Sequence, residues 1–96
     1  MSFRFHPDAE AEFLAAVDWY EERSAGLGAD FAAEIHDAIQ RAVAMPLAWP
    51  SLDGEIRRVL ANRFPYGVLY ARRDGSILVL AVMHLRRRPG YWQDRT

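Results

Sequence analysis

The residues of this chain that are best suited to chemistry are its arginines, which gather in the second half of the sequence. Residues 54–96 carry nine arginines against three acids, whereas residues 1–53 carry ten acids against three arginines. There is no lysine, and the planar arginine guanidinium grips phosphate or carboxylate in two places. A G+C-rich genome would also favour arginine over lysine, but it would not segregate the charge. We therefore expect the second half to meet an anionic partner.

One histidine and two aromatic residues accompany these arginines. His84 ends a predicted strand, the run Arg86 to Arg88 follows it, and Tyr91 and Trp92 lie in the tail. Histidine transfers protons near neutral pH, and arginine stabilises developing negative charge. The plainer alternatives are a polar residue at a strand end, a solvated basic tail, and aromatic anchors that hold the tail on the core.

Several classes of protein are excluded by the sequence. The absence of cysteine rules out disulfides and thiolate metal sites, and the three histidines are too widely spaced for a metal motif. The N-terminus lacks the basic and apolar segments of a signal peptide, and the longest apolar run, residues 77–83, is far too short to span a membrane. We expect a cytoplasmic protein that uses no metal or other cofactor and does not enter the membrane.

The first half of the chain predicts a strand and two helices within a single domain, residues 1–96. A short strand over residues 3–5 is stopped by Pro7, which starts a helix that ends near residue 23, before Gly26. A second helix runs from about residue 27 to 44 and is ended by Pro46. With so short a link, the two helices must form an antiparallel hairpin.

The second half predicts strands at residues 55–60, 66–72 and 76–84, after a loop at residues 46–54. Asp74-Gly75 is a strong hairpin-turn signal. Strict alternation in the last strand would point Ile77, Val79, Ala81 and Met83 one way and the residues between them the other, so both faces are apolar and need covering. The expected fold is α+β, with an N-terminal strand and an antiparallel helix hairpin packed on an antiparallel β-sheet, in the order β-α-α-β-β-β.

Local sequence segments carry a resemblance to a known family over nearly the entire chain. They are Ala11-Glu12-Phe13, Val17 to Arg23, Gly26-Leu27-Gly28, Ile56-Arg57-Arg58, Arg63-Phe64-Pro65-Tyr66-Gly67-Val68-Leu69-Tyr70, and Ile77 to Arg87. Together with the element order, they resemble the RelE/ParE superfamily of type II toxin-antitoxin toxins, also known as the plasmid stabilisation family. The most specific pieces are the Arg-Phe-Pro-Tyr segment and the strand that ends in histidine followed by arginines.

The resemblance implies a growth-arresting toxin that a partner antitoxin neutralises, as a hetero-oligomer. One branch of the superfamily cuts messenger RNA on the ribosome without a metal, and another inhibits DNA gyrase without catalysis. We expect the endoribonuclease activity first and gyrase inhibition as the alternative, followed by a non-toxic relative that binds nucleic acid or protein. The absence of lysine, with Glu55 as the one nearby acid, weakens the nuclease hypothesis.

The nuclease hypothesis assigns roles to particular residues. Arg63 and Arg87 would stabilise the phosphate, His84 would transfer a proton, and Tyr91 would stack on a base or position the attacking hydroxyl. A second group is expected to contact RNA or a partner protein: Arg57, Arg58, Arg86, Arg88 and Trp92. In a nucleic-acid binding module without catalysis, by contrast, His84 would be replaceable.

Overall fold

The fold is a helix hairpin packed on one face of a five-stranded sheet. The computed structural model describes residues 2–95. Along the chain the elements are β1 (Phe3–Phe5), α1 (Pro7–Arg23), α2 (Leu27–Ala44), β2 (Ser51–Asp53), β3 (Ile56–Leu60), β4 (Tyr66–Arg73) and β5 (Ser76–His84). The predicted α+β class is confirmed, and both helices have the predicted limits. β2 is an additional short strand within the segment predicted as a loop.

The helix ends follow from local chemistry. The His6 side chain caps α1 by accepting a hydrogen bond from the Asp8 amide, and Pro7 occupies the first turn, where no amide is needed. At the start of α2, the Glu21 carboxylate accepts hydrogen bonds from the Gly26 and Gly28 amides. One carboxylate from α1 therefore satisfies two of the amides at the start of α2 and joins the two helices.

The sheet has the strand order β1-β5-β4-β3-β2. The four strands from β2 to β5 form the expected antiparallel meander, but β1 pairs with β5 in parallel, so the sheet is mixed and not wholly antiparallel. No tight turn joins β1 to β5, because the helix hairpin and three strands lie between them in the chain. The direction of β1 is therefore not fixed by a local connection.

A β-bulge in β5 changes which side chains share a face. The register passes from Leu69↔Ala81 to Tyr70↔Val79, so Leu80 is an extra residue on β5. Beyond it, Val82 joins Ile77 and Val79 in the core beneath the helices, whereas Ala81 and Met83 lie on the helix-free face. The strict alternation predicted for this strand is therefore wrong after residue 80.

Both faces of β5 are covered, as its apolar composition predicted. The helices cover one face, and the C-terminal tail brings Trp92 against Leu69, Ala81 and Met83 on the other. The Asp74-Gly75 turn has positive φ at both positions, as expected for its hairpin. Neither helix in the described part of the chain is long and apolar enough to cross a membrane.

Candidate functional site

The candidate site lies where β5 ends and the tail begins. His84 pairs with Tyr66 across the sheet, and their rings pack edge to face with centroids 5.2 Å apart. The His84 Nδ1 accepts a hydrogen bond from the Arg86 amide, and its carbonyl accepts one from the Arg87 amide. The turn therefore fixes Arg87 beside His84 and leaves Nε2 as the imidazole nitrogen available to a ligand.

Glu12, a residue that sequence reasoning did not select, lies at the centre of this site. Its carboxylate forms a two-point ion pair with Arg95, at 2.9 and 3.0 Å, and lies 3.9 Å from the nearest guanidinium nitrogen of Arg87. The Glu12 and Arg95 side chains are only 16% and 13% exposed. The available signal was a carboxylate on the buried stripe of α1, between Ala9 and Ala16.

Glu12 and Arg95 also complete the edge of the sheet. β1 pairs with β5 only as far as Val79, so the edge of β5 beyond that residue has no neighbouring strand. The Val82 amide donates to Glu12 at 3.1 Å, and the Leu80 carbonyl accepts from Arg95 at 3.1 Å. These side chains supply hydrogen bonds that a further strand would otherwise provide.

The tail packs around this ion pair through its aromatic residues. The Arg87 guanidinium carbon lies 4.0 Å from the centre of the Tyr91 ring, and that of Arg95 lies 4.9 Å from it. The Tyr91 hydroxyl is buried beside the Glu12 carboxylate, without a well-aligned hydrogen bond among the described residues. Burial raises the pKa of Tyr91, and the neighbouring Glu12 carboxylate raises it further. Tyr91 is therefore a neutral phenol near neutral pH and not a ready base.

Two cavities flank Arg87, one on each side of the sheet. The first, of about 390 Å³, lies against α1, and among the residues lining it are Glu12, Trp19, Tyr20, Tyr66, His84 and Arg87. The second, of about 430 Å³, lies on the helix-free face, and among the residues lining it are Arg58, Met83, Leu85, Arg87, Trp92 and Gln93. Arg87 is therefore accessible to an anion from either cavity.

The neighbours Arg57 and Arg58 point to opposite faces, as strand geometry requires. The methylenes of Arg58 lie across Gly67, where a Cβ would be 3.0 Å from the Arg58 Cδ. Glycine at that position allows Arg58 to lie flat on the helix-free face. Arg57 is on the helix side, and it donates a hydrogen bond to the Trp49 carbonyl at 2.6 Å.

Arg63 is not part of the group around Glu12. Its guanidinium lies 3.8 Å from the Asp30 carboxylate in the first turn of α2, and its amide donates to Glu34. That amide, with the Asn62 amide and the nearby Arg63 charge, lowers the pKa of Glu34. Within residues 2–95, the Arg63 side chain makes no hydrogen bond or ion pair with His84 or Arg87.

The remaining predicted residues divide between surface and core. Arg86 and Arg88 are exposed and free to meet an anion, in agreement with either a solvated tail or a binding role. Trp92 is only 4% exposed. This burial favours the alternative considered for Trp92, anchoring the tail, over direct contact with RNA or a partner protein.

The arrangement thus gathers three of the four predicted catalytic residues, His84, Arg87 and Tyr91, around a carboxylate. The imidazole can exchange a proton, and Arg87 can bind an anion that approaches from outside. Glu12, however, already occupies the space between the two guanidinium groups with negative charge. Exposed Arg87 therefore lies at the edge of an ion pair, between Glu12 and Arg95, that is part of the fold.

Comparison with known proteins gives a matching family model and similarity to solved structures. The model of the family described as "ParE toxin of type II toxin-antitoxin system, parDE" matches residues 3–89. A solved structure titled "Chromosomal ParDE TA system from P. aeruginosa" is similar in fold, with a TM-score of 0.72 and 21% identity, over 88% of this chain and 95% of that one. No curated protein matches the sequence.

Proposed function

The chain belongs to the family of ParE toxins of type II toxin-antitoxin systems, and from this premise we propose that it arrests growth by binding a protein target without cutting RNA. DNA gyrase is the expected target, since the resemblance described above includes a gyrase-inhibiting branch. The observation that carries the proposal is the Glu12 carboxylate, which lies between Arg87 and Arg95 at the centre of the cationic site.

A carboxylate in that position disfavours RNA cleavage for two reasons. It repels the phosphate whose charge a nuclease must stabilise, and it lies 3.9 Å from Arg87, one of the two guanidinium groups expected to do so. Tyr91 stays protonated near neutral pH, and Arg63 lies beside Asp30 of α2 and not beside Arg87. A toxin that acts by binding needs neither Tyr91 as a base nor Arg63 at the site, and it can use the rim formed by His84, Arg86, Arg87 and Arg88 as a contact surface.

The partner that neutralises this toxin is proposed to be an antitoxin with an acidic or amphipathic segment. The cavity against α1 has an apolar floor that includes Ala15, Ala16 and Val82, and a cationic edge at His84 and Arg87. An apolar side chain next to a carboxylate would match both features.

Ribosome-dependent cleavage of messenger RNA is the second candidate. The observation that favours it is the cavity on the helix-free face, where Arg58 and Arg87 share one lining. Two guanidinium groups around one cavity are suited to a phosphate. This alternative would use Arg58 in place of Arg63 as the partner of Arg87.

The test is inducible expression of the wild-type chain without its antitoxin, with three measurements in the same culture. We expect growth arrest, induction of the DNA-damage response, and transcripts whose 5′ ends are unchanged. In vitro, the purified protein should inhibit supercoiling by gyrase. Transcript cleavage with normal supercoiling would overturn the proposal in favour of the nuclease.

Matched variants distinguish the two candidates. Arg87→Gln removes a charge from the cationic rim and should weaken gyrase inhibition, whereas Arg4→Gln removes an equal charge from β1, near the end of β5 opposite His84, and should not. His84→Ala should leave a toxin that acts by binding at least partly active. Loss of all toxicity in His84→Ala, with loss of transcript cuts, would support proton transfer by His84.

A further inference from the structure

A second cluster of arginines lies at the end of the sheet that carries the β4–β5 turn, away from His84. Arg57 is directly opposite Tyr70 in the register, and Arg72 is two residues further along β4. Because side chains alternate along a strand, all three point to the helix side of the sheet. They border a cavity of about 330 Å³, whose lining also includes Pro46 and Leu47.

This cavity exists because α2 ends at Ala44, before it would cover the last residues of β4. The segment that follows is held in place by two hydrogen bonds from the cavity wall. The Tyr70 hydroxyl donates to the Pro46 carbonyl at 2.7 Å, and Arg57 donates to the Trp49 carbonyl. The wall of the cavity is therefore fixed before any ligand arrives, which reduces the entropy cost of binding.

The cavity has an unbalanced positive charge. Arg73 is paired with Glu55. Arg72 is exposed and makes no ion pair or side-chain hydrogen bond within residues 2–95, and Arg57 uses its guanidinium on a neutral carbonyl only. Two guanidinium groups on one side of Tyr70 are thus available to a carboxylate or another small anion.

Exposed apolar side chains adjoin the cations. Met45 and Leu47 are 62% and 60% exposed, and they border a shallow cavity that Arg72 also lines. A ligand that fits both parts has a carboxylate for the arginines and an apolar group for Met45 and Leu47. We propose that this end of the sheet is a second docking surface, which binds a protein segment with an acidic residue next to an apolar one.

Nucleic acid fits the same surface less well. Its backbone favours an unbroken path of positive charge, whereas Glu55 and Asp74 lie on the lining of this cavity. Binding of single strands also depends on exposed aromatic rings, and Tyr70 is only 1% exposed. A single carboxylate meets a lining with a net positive charge, because Arg73 neutralises Glu55 and leaves Arg57 and Arg72 against Asp74. The proposal does not depend on how the toxin acts, because this surface is separate from Arg87.

The experiment is a titration of the full chain with a capped peptide in which glutamates alternate with leucines. Binding is monitored through the NMR signals of the arginine Nε–H groups. We expect the signals of Arg57 and Arg72 to shift. Arg72→Gln should weaken binding about fivefold, the upper end for one exposed ion pair. A peptide with glutamine in place of glutamate should bind the wild type and Arg72→Gln with equal affinity, because it has no carboxylate for Arg72.

The matched control is Arg4→Gln. Arg4 is on β1 and pairs with Leu78, so it lies at the same end of the sheet but on the helix-free face. Its replacement should leave peptide binding unchanged. Arg72 is exposed, so its replacement should not disturb folding. An unchanged affinity in Arg72→Gln, an equal loss in Arg4→Gln, or shifts produced by an eight-residue oligothymidylate but not by the glutamate peptide would each overturn the proposal.

Discussion

At the scale of single residues, Glu12 determines what the basic residues near it can do. A carboxylate that is mostly buried must be paired, and here two arginines and a peptide amide surround it. The arginines Arg87 and Arg95 would look like free cations in the sequence. In the fold they are partners of a carboxylate from the other half of the chain.

Replacement of this carboxylate should destabilise the whole protein. In Glu12→Gln, the amide oxygen can still accept from Val82, but Arg95 loses its closest ionic partner, keeps only the Asp8 carboxylate at 3.8 Å, and stays largely buried. We expect the free energy of unfolding to fall by about 2 kcal/mol, measured by urea denaturation. Glu22→Gln, at a carboxylate that is 74% exposed, is the control and should change little. Equal effects of the two changes would contradict a structural role for Glu12.

The Tyr91 hydroxyl should make stability depend on pH in the alkaline range. Its pKa is raised above the ordinary 10.0 by burial, so the folded state binds the proton more tightly than the unfolded state does. The contribution of the protonated Tyr91 hydroxyl to the free energy of unfolding is fully present below pH 10. It should fall as the pH rises from there toward the folded-state pKa.

Tyr91→Phe checks this dependence. The loss of stability above pH 10 should become less steep in the variant, and denaturant midpoints at several pH values would measure it. At neutral pH the change should remove at most the contact of the Tyr91 hydroxyl with the Glu12 carboxylate, which keeps its hydrogen bonds to Arg95. An unaltered alkaline slope would show that Tyr91 ionises normally. Tyr20, Tyr66 and Tyr70, whose pKa values burial also raises, would then account for the slope.

At the scale of elements, the helix hairpin depends on a close contact at Gly28. A Cβ at this position would lie 2.6 Å from the Val17 carbonyl oxygen of α1. The Glu21 carboxylate also reaches the Gly28 amide across the same contact. The Gly26-Leu27-Gly28 segment thus joins the two helices, and only a residue without a side chain allows this separation.

Gly28→Ala should therefore destabilise the hairpin even though alanine is the better helix former. The gain in helix propensity is about 1 kcal/mol, but the atom in the way belongs to the backbone of α1 and cannot move without shifting the helix. We expect a net loss of about 1–2 kcal/mol, seen as a lower Tm in thermal denaturation. A Tm equal to or above that of the wild type would show that the helices can separate freely.

At the scale of the whole molecule, the segregation of charge has an explanation within the fold. The acidic first half and the basic second half meet through ion pairs between distant residues: Asp8 and Glu12 with Arg95, Glu12 with Arg87, and Asp30 with Arg63. Part of the positive charge that seemed to call for an external anion is therefore neutralised internally. The arginines of the second half that stay without an ion pair in the described residues are Arg86 and Arg88 in the exposed tail, Arg58 on the helix-free face, and Arg57 and Arg72.

The tail should act as a structural part of the domain and not as a loose extension. In Trp92→Ala, Leu69, Ala81 and Met83 lose the apolar side chain that packs on them. The hydrogen bond from Arg95 to the Leu80 carbonyl at the β5 edge should weaken as the tail loosens. We expect a loss of about 3 kcal/mol. Relative to the wild type, hydrogen exchange in the variant should accelerate more at the Val82 amide than at the amides of β4. Unchanged exchange at Val82 would show that Glu12 covers the edge without help from the tail.

The sequence by itself determined the two helices, every strand except β2, and the class of fold. Helix limits at Pro7, Gly26 and Pro46 and the Asp74-Gly75 turn are set by local backbone chemistry, so short-range reasoning located them closely. The parallel pairing of β1 and the bulge at Leu80 were not predictable in this way, because each depends on strands that are distant in the chain.

The tertiary structure alone decided which charged residues form the site. Sequence reasoning brought His84, Arg87 and Tyr91 together because they are neighbours along the chain, and it failed to separate Arg63 from them. Glu12 lies about seventy residues earlier than its partners, as its bond to the Val82 amide shows. Electrostatic pairing depends on distance in space, and a residue's neighbours in space are known only once the chain has folded.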